Sequence, residues 1–550
     1  MANNIKAEIR DSWGENRLID GPYDPSASAK CRNGIFVGTR KDGVKIFRGI
    51  PFACPPTGKL RWKKPLPAPD SDRVFEAKYN GKTPIQTEWP SERASYYPQG
   101  EDCLYLNIWT GEEAAAGKAV MVFIHGGSYG WGGTADPLYD GFNFAKAHPE
   151  IVLVTIAYRV GMMGFADFSS IPGGEEYPDA PNLGLWDQIE ALRWVRENIA
   201  AFGGDPDKVT LFGESAGGGS VSLLPYIPEA RGLFRRVIAE SGSVALTYSK
   251  AECQGLTRRI MKAAGAADMQ DLLMLSEKEL QAVNEKVNMY NNFPMRDGVL
   301  IPEDPYEPYR NGQTADVDMI IGTNADETNY WINEVGGFIP FRMGVPIQYE
   351  NNLRLLKPED RKRARQYMKL TRGYSLWKIS GFFTEIMFRL PAVRQAEEHS
   401  RNGGKAFMYF WEERSRLPHL RACHAVELAY VFGNTEDTVY TGEPADPVLS
   451  RQVQDQWVRF AGTGDPGTPE LPWPAYEEKN RWTMILRRDS RLAADPAAEA
   501  RKILSPILDY RLNASYAEMK FNVPFVWKTA GKMLLILLLI IGAILYFLLK

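Results

Sequence analysis

Short, almost wholly apolar runs separated by helical patterns dominate the chain. Ala119 to Ile124 and Ile151 to Tyr158 are rich in Val and Ile, as strands buried on both faces of a parallel sheet should be. Lys208–Phe212, Arg236–Ala239, Val317–Ile321 and Ala406–Phe410 continue the series. Between them, Leu185 to Ala201 predicts a helix with Leu185, Ile189, Leu192, Val195 and Ile199 on one face, stopped by Gly203-Gly204. Upstream, Gly34–Gly38 and Val44–Arg48 flank Lys41-Asp42-Gly43, a hairpin signal. The Pro-rich stretch from Pro51 to Pro69 must be extended or looped. Such alternation predicts an α/β class with a large, mostly parallel central sheet and helices on both faces. Residues 245–310 and 330–400 read as helical insertions that roof the strand ends.

The pattern changes at the end. Met533 to Leu549 carries no charge and is bracketed by Lys532 and Lys550. As a helix it would measure about 25 Å, slightly short of a hydrocarbon core, with Trp527 and Lys528 extending it into the interface. The expectation is therefore one C-terminal transmembrane helix, a tail anchor that makes the membrane a partner. Lys520, Lys528 and Lys532 place the large domain on the cytoplasmic side. Residues 1–10 mix both charge signs and do not read as a secretory signal. The expected organisation is an N-terminal extension (1–29), a catalytic domain (30–515), a juxtamembrane linker (516–532) and the span (533–549).

A net charge of −3 without a Lys/Arg stripe excludes nucleic acid as a partner. Five scattered cysteines lack metal-ligand spacing and fit reduced thiols, so neither metal nor cofactor is expected.

The chemistry gathers around Gly213-Glu214-Ser215-Ala216-Gly217, which follows the strand Lys208–Phe212 and precedes a small-residue run able to open a helix. Strand, sharp turn and helix is the context of a nucleophile elbow, with the Ala216 amide facing an oxyanion. A base is then required, and the chain has five histidines. His125, in Phe123-Ile124-His125-Gly126-Gly127-Ser128-Tyr129, belongs to an H-G-G loop whose Gly127 and Ser128 amides complement that of Ala216. His148 and His399 lie in polar helical surroundings and read as solvated. His424, late in the chain and beside the apolar run Ala425–Phe432, is the best base, and His419 is the runner-up. A carboxylate should stand between serine and histidine in chain order. Asp326 and Glu327, just past the strand Val317–Ile321, both qualify, and the residues alone do not choose between them. The bland readings, a helix cap for the acids and a helix start for His-Ala-Val-Glu, lose weight because all the pieces occur in order.

These residues resemble the type-B carboxylesterase family of cholinesterases and bacterial p-nitrobenzyl esterases, over roughly residues 30–515. The likeness runs through Phe47–Ala53, Glu101-Asp102-Cys103-Leu104-Tyr105-Leu106-Asn107, Tyr158–Gly161, Asn182–Gln188, Phe202–Pro206, Phe212–Ser220 and Trp457–Pro466. It implies an α/β-hydrolase fold, with Ser215 as nucleophile, Glu327 as acid, His424 as base and Gly127, Ser128 and Ala216 as oxyanion donors. Glu214 matches a family carboxylate that tunes the site. The family often ties the cysteine of E-D-C-L-Y-L-N in a disulfide, yet Gly81–Gln86 offers Cys103 no partner. Ser128 stands where the family usually has Gly or Ala. The implied activity is ester hydrolysis through an acyl-serine intermediate on a small-molecule ester. The rivals are a membrane-localised lipase and a non-enzymatic module on the same fold. Trp89, Trp131 and Trp186 are all candidates for a choline-binding aromatic, and nothing in the sequence decides among them.

Overall fold

The computed structural model describes residues 13–89, 92–112, 116–287, 292–334, 337–370, 375–510, 512 and 538. Its frame is an 11-stranded sheet. In chain order the strands are β1 (Thr39–Lys41), β2 (Val44–Pro51), β3 (Tyr105–Gly111), β4 (Lys118–Ile124), β5 (Ile151–Ile156), β6 (Gly204–Glu214), β7 (Arg236–Glu240), β8 (Asp318–Asn324), β9 (Ala406–Trp411), β10 (Trp482–Leu486) and β11 (Arg491–Ala494). Across the sheet they run β11-β10-β9-β8-β7-β6-β4-β5-β3-β2-β1. From β5 to β10 neighbouring strands are parallel, and antiparallel pairs finish both edges.

The apolar strands bury both faces because helices cover both. Val120, Val122 and Ile124 of β4 share one core with Leu185, Ile189 and Leu192 of α1 (Leu183–Asn198). The alternate residues Met121 and Phe123 share the opposite core with Val453, Trp457 and Phe460 of a helix at Pro447–Thr463. The period of two along a strand thus splits one sequence run between two cores. After α1 a short 3₁₀ turn reaches Gly203, whose φ of 87° ends the helix as expected.

The expected hairpin forms differently. Lys41-Asp42-Gly43 turns β1 into β2, while Gly34–Val37 leaves for a small separate sheet with Ser28–Cys31 and Val74–Glu76. Strand-like composition did not specify which neighbour each strand would take.

The insertions are helical, as expected. They include Lys250–Ala264, Glu277–Val287, Phe338–Leu353, Pro358–Leu370, Ser375–Thr384 and Leu390–Arg401. Where the last two meet, Glu385–Arg389 forms a π-helical turn.

A buried ion pair ties α1 to the loop after β5. Arg159 donates to Asp187 from Nε and Nη2 at 2.8 and 2.7 Å, and Asp187 is wholly buried. Asp187→Ala would strand the guanidinium in an apolar interior. It is expected to cost about 3–5 kcal/mol, read as a lowered midpoint in urea unfolding.

The tail anchor requires correction. Among the described residues no helix is long and apolar enough to cross a membrane. The juxtamembrane linker and, apart from Leu538, the segment 533–549 lie outside the described residues. An uncharged run alone did not establish a spanning helix, and the membrane is not carried further as a partner.

Candidate active site

The parallel strands end together, and the turns leaving β4, β6, β7 and β8 converge. Leaving β6, Ser215 has φ 56° and ψ −117° before α2 (Ala216–Leu223) begins. A side chain is strained in that region, at a cost of about 1–3 kcal/mol, and such residues persist only where their surroundings hold them. Here the Ser215 amide donates to the Glu240 carbonyl at 2.8 Å, and the Gly219 amide donates to the Ser215 carbonyl at 2.8 Å. The glycines around the serine are required by space. A Cβ on Gly217 would collide with the Ile124 carbonyl, and one on Gly218 would stand 2.6 Å from the Glu240 carbonyl oxygen.

The loop after β4 presses on this elbow. A Cβ on Gly126 would sit 2.8 Å from Glu214 Oε2 and 3.1 Å from Ser215 Cβ. Gly127, Ser128 and Tyr129 have φ values of 96°, 53° and 57°, three successive left-handed residues. Gly127 and Ser128 are half-exposed, whereas Ala216 is buried. His125 is buried under the Tyr158 ring at 4.4 Å, with Nδ1 2.9 Å from the Gly126 carbonyl oxygen. Burial pushes its pKa down to about 4, which makes it a neutral support for the loop.

His424 and Glu327 come together from 97 residues apart, with His424 Nδ1 2.6 Å from Glu327 Oε2. Glu327 is fully buried, and its Oε1 accepts from Ser241 Oγ and from the Asn324 amide, each at 2.6 Å. Asp326 turns away and faces Arg421 at 3.4 Å. His419 lies elsewhere, exposed and stacked on Phe338 at 4.1 Å. Three aromatic rings surround the His424 imidazole: Phe388 at 4.9 Å, Tyr330 at 5.7 Å and Trp331 at 6.2 Å, the last nearly parallel. The other ring nitrogen, Nε2, stands 3.1 Å from Glu214 Oε1, at the elbow itself. That oxygen has no hydrogen-bond partner among the described residues, so Nε2 is near Glu214 without being engaged by it.

Behind the elbow the carboxylates crowd. Glu214 and Glu240 stand side by side in the β6–β7 register. Glu427 reaches the Asn324 amide group at 2.5 Å. Burial first, then the neighbouring carboxylates, hold Glu214 and Glu427 well above the usual range. Burial also lifts Glu240, whose Oε1 accepts from Trp457 Nε1 at 2.6 Å, to about 7 from 4.5. The folded state therefore binds more protons at this group than the unfolded chain between those values, and stability falls as pH rises through that window. Glu240→Gln keeps the indole's acceptor and removes the titration. Its urea midpoint is expected to fall less between pH 5 and pH 8 than that of the parent, and an equal fall would rule Glu240 out as the source.

Two expectations about histidines are corrected. His148 and His399 are buried rather than solvated. His148 packs on Phe144 at 5.5 Å. His399 is held by Thr314 Oγ1 at 2.9 Å and the Val317 carbonyl at 3.1 Å. Polar neighbours in sequence said nothing of the tertiary cover. Cys103 is a buried free thiol. Trp89 and Trp131 meet at a tilt of 43° with ring centroids 5.0 Å apart, whereas Trp186 is capped by Lys64 Nζ at 3.7 Å. Among the described residues no group of His, Cys, Asp and Glu could hold a metal ion. Ser241, Asn324 and the three rings around His424 escaped the sequence reading, for no local pattern links them to residues so distant in the chain.

Comparison with known proteins places the chain in a family. Residues 25–503 match the model of the carboxylesterase family. A Bacillus subtilis para-nitrobenzyl esterase is 36% identical over 491 residues, covering 85% of this chain and 96% of that protein. A Leptinotarsa decemlineata acetylcholinesterase is 30% identical, covering 83% and 81%. Among solved structures, a Geobacillus stearothermophilus carboxylesterase superposes with a TM-score of 0.77 at 34% identity, covering 87% of this chain and 99% of that one. The chain belongs to the carboxylesterase family, with its α/β-hydrolase fold, and is a serine carboxylesterase.

Proposed function

We propose that Ser215, His424 and Glu327 are the catalytic triad of this esterase, with Gly127, Ser128 and Ala216 as oxyanion donors. The observation that carries the reading is the placement of His424. One nitrogen is 2.6 Å from the buried Glu327, and the other faces the elbow that bears Ser215. Ser215 Oγ loses its proton to His424 Nε2 as it attacks the ester carbonyl carbon. The amides of Gly127, Ser128 and Ala216 receive the negative charge on the carbonyl oxygen. His424 then gives the proton to the departing alkoxide, leaving an acyl-serine that water hydrolyses by the same steps. Glu327 keeps the Nδ1–H tautomer and stabilises the imidazolium. Beside Nε2, burial and then the neighbouring carboxylates hold the Glu214 carboxyl well above its usual range. A fluorophosphonate probe tests the reading. It should label the parent protein stoichiometrically at Ser215, and peptide mapping of the label to any other residue would refute it.

A further inference from the structure

His419, set aside as the base, stands in a place that fits its ring. The turn leading from β9 to His424 closes on itself, with the Ser415 amide donating to the Arg421 carbonyl at 2.8 Å. His419 and Arg421 both have left-handed backbones, with φ 71° and 55°, and Ala425 follows with 64°. Such residues persist only where their surroundings hold them. Here the hold comes from the helical insertions. The His419 imidazole lies nearly parallel to the Phe338 ring at 4.1 Å and to the Trp377 ring at 5.9 Å. Phe338 opens the helix Phe338–Leu353, and Trp377 belongs to the helix Ser375–Thr384. The His419 carbonyl accepts from Asn329 Nδ2 at 3.2 Å, and Asn329 Oδ1 accepts from Ser380 Oγ, on that second helix, at 2.6 Å. Arg421 adds a further tie, its guanidinium lying over the Trp377 ring at 4.3 Å and pairing with Asp326 at 3.4 Å.

The far end of the same turn carries the base. The Asp326 amide donates to the Ala422 carbonyl at 2.9 Å, and the His424 amide donates to the Glu327 carbonyl at 3.2 Å. Asn324 Nδ2 donates to the Cys423 carbonyl at 2.8 Å. The stretch 419–424 is thus fastened to the insertions at one end and to the strand end bearing Glu327 at the other. Histidine suits position 419 for two reasons. Its flat ring packs on two aromatic faces, and with Asn and Asp it is among the side chains most often found at positive φ. His419 is exposed, whereas Leu420, Ala422 and Cys423 are buried. The His419 ring therefore adds little to the core, and its contacts act on where the turn sits.

We propose that His419 is a positioning residue for His424. Clasped by Phe338 and Trp377, it fixes the strained turn that carries the base, so the insertions and the base keep one alignment. The inference rests on the triad reading above.

The test compares His419→Asn with His419→Phe in the full chain, on p-nitrophenyl butyrate. Asparagine keeps the tolerance for positive φ and removes the ring, whereas phenylalanine keeps a ring and removes the nitrogens. His419→Asn should lower kcat about tenfold or more and leave KM within about twofold, because a displaced base misaligns proton transfer rather than binding. His419→Phe should hold kcat within about threefold of the parent. Trp377→Leu, which removes one face of the clasp, should lower kcat as His419→Asn does. The double variant should then lose little more than either single one, as expected of residues acting through one contact. Urea midpoints of all variants should stay near that of the parent. Parental kcat in His419→Asn overturns the inference, and so does an equal loss in His419→Asn and His419→Phe. A midpoint that falls in step with kcat in both His419→Asn and Trp377→Leu overturns it as well, since the role is then structural. Turnover that persists in His424→Ala overturns the triad reading and the clasp with it. No turnover in His424→Ala beside parental kcat in His419→Asn overturns the clasp alone.

Discussion

Ser215→Ala is expected to lower kcat for p-nitrophenyl butyrate by about 10⁶-fold while leaving the fold intact. On the proposed mechanism the substitution removes the atom that forms the covalent bond, so His424 and Glu327 have nothing left to activate. Members of a triad act as a unit, and losing one forfeits most of what the set supplies. A residue of about 10³–10⁴ over the uncatalysed rate should survive, from the oxyanion donors and substrate binding. The fold should persist because the contacts that hold the elbow run through the main chain, from Glu240 to Ser215 and from Ser215 to Gly219. Circular dichroism and the urea midpoint check the fold, and a stopped assay with a burst phase checks the chemistry. A loss below about 100-fold in a folded sample would mean that another nucleophile carries the reaction.

Glu327→Gln is expected to cost about 10⁴-fold in kcat, through the tautomer rather than the geometry. Glu327 Oε1 accepts from the Asn324 amide, a donor that cannot turn round. A glutamine must therefore place its carbonyl oxygen there and its NH₂ toward His424. Facing a donor, Nδ1 has to become the acceptor, which moves the proton to Nε2. The base then presents N–H to Ser215 and cannot take its proton. KM should change little, because the amide keeps the carboxylate's shape. A loss under about tenfold would show that the Nδ1–H tautomer of His424 does not depend on Glu327 and would refute its place in the triad.

What could be read from the sequence was whatever local chemistry dictates. Glycine at 213 and 217 announces a sharp turn, and the turn announces an exposed serine. Phe123 to Tyr129 announces a loop of backbone amides. The apolar runs gave most strands of the sheet and its parallel character. What stayed hidden depends on distant partners. Asp326 and Glu327 occupy adjacent positions at one strand end, and only the direction of the following 3₁₀ turn sends Glu327 to His424 and Asp326 to Arg421. Ser241 is anonymous until β7 is laid between β6 and β8. His148 and His399 carry polar sequence neighbours yet end under other elements, so their burial was misjudged. The edge strands misled for the same reason: a four-residue β segment fits any open edge.

The three left-handed residues of the loop after β4, with Ser215 opposite them, have a consequence in time. The strain of the three that carry side chains, Ser128, Tyr129 and Ser215, about 1–3 kcal/mol each, is set against the stability of the whole fold when the chain first condenses. It is incurred once in the life of each molecule and is not repeated with each ester that arrives. Dipoles in water would have to swing round a newly formed charge at every cycle. On the proposed mechanism the amides of this loop are aimed before any substrate enters, and the work of aiming them belongs to biosynthesis rather than to turnover.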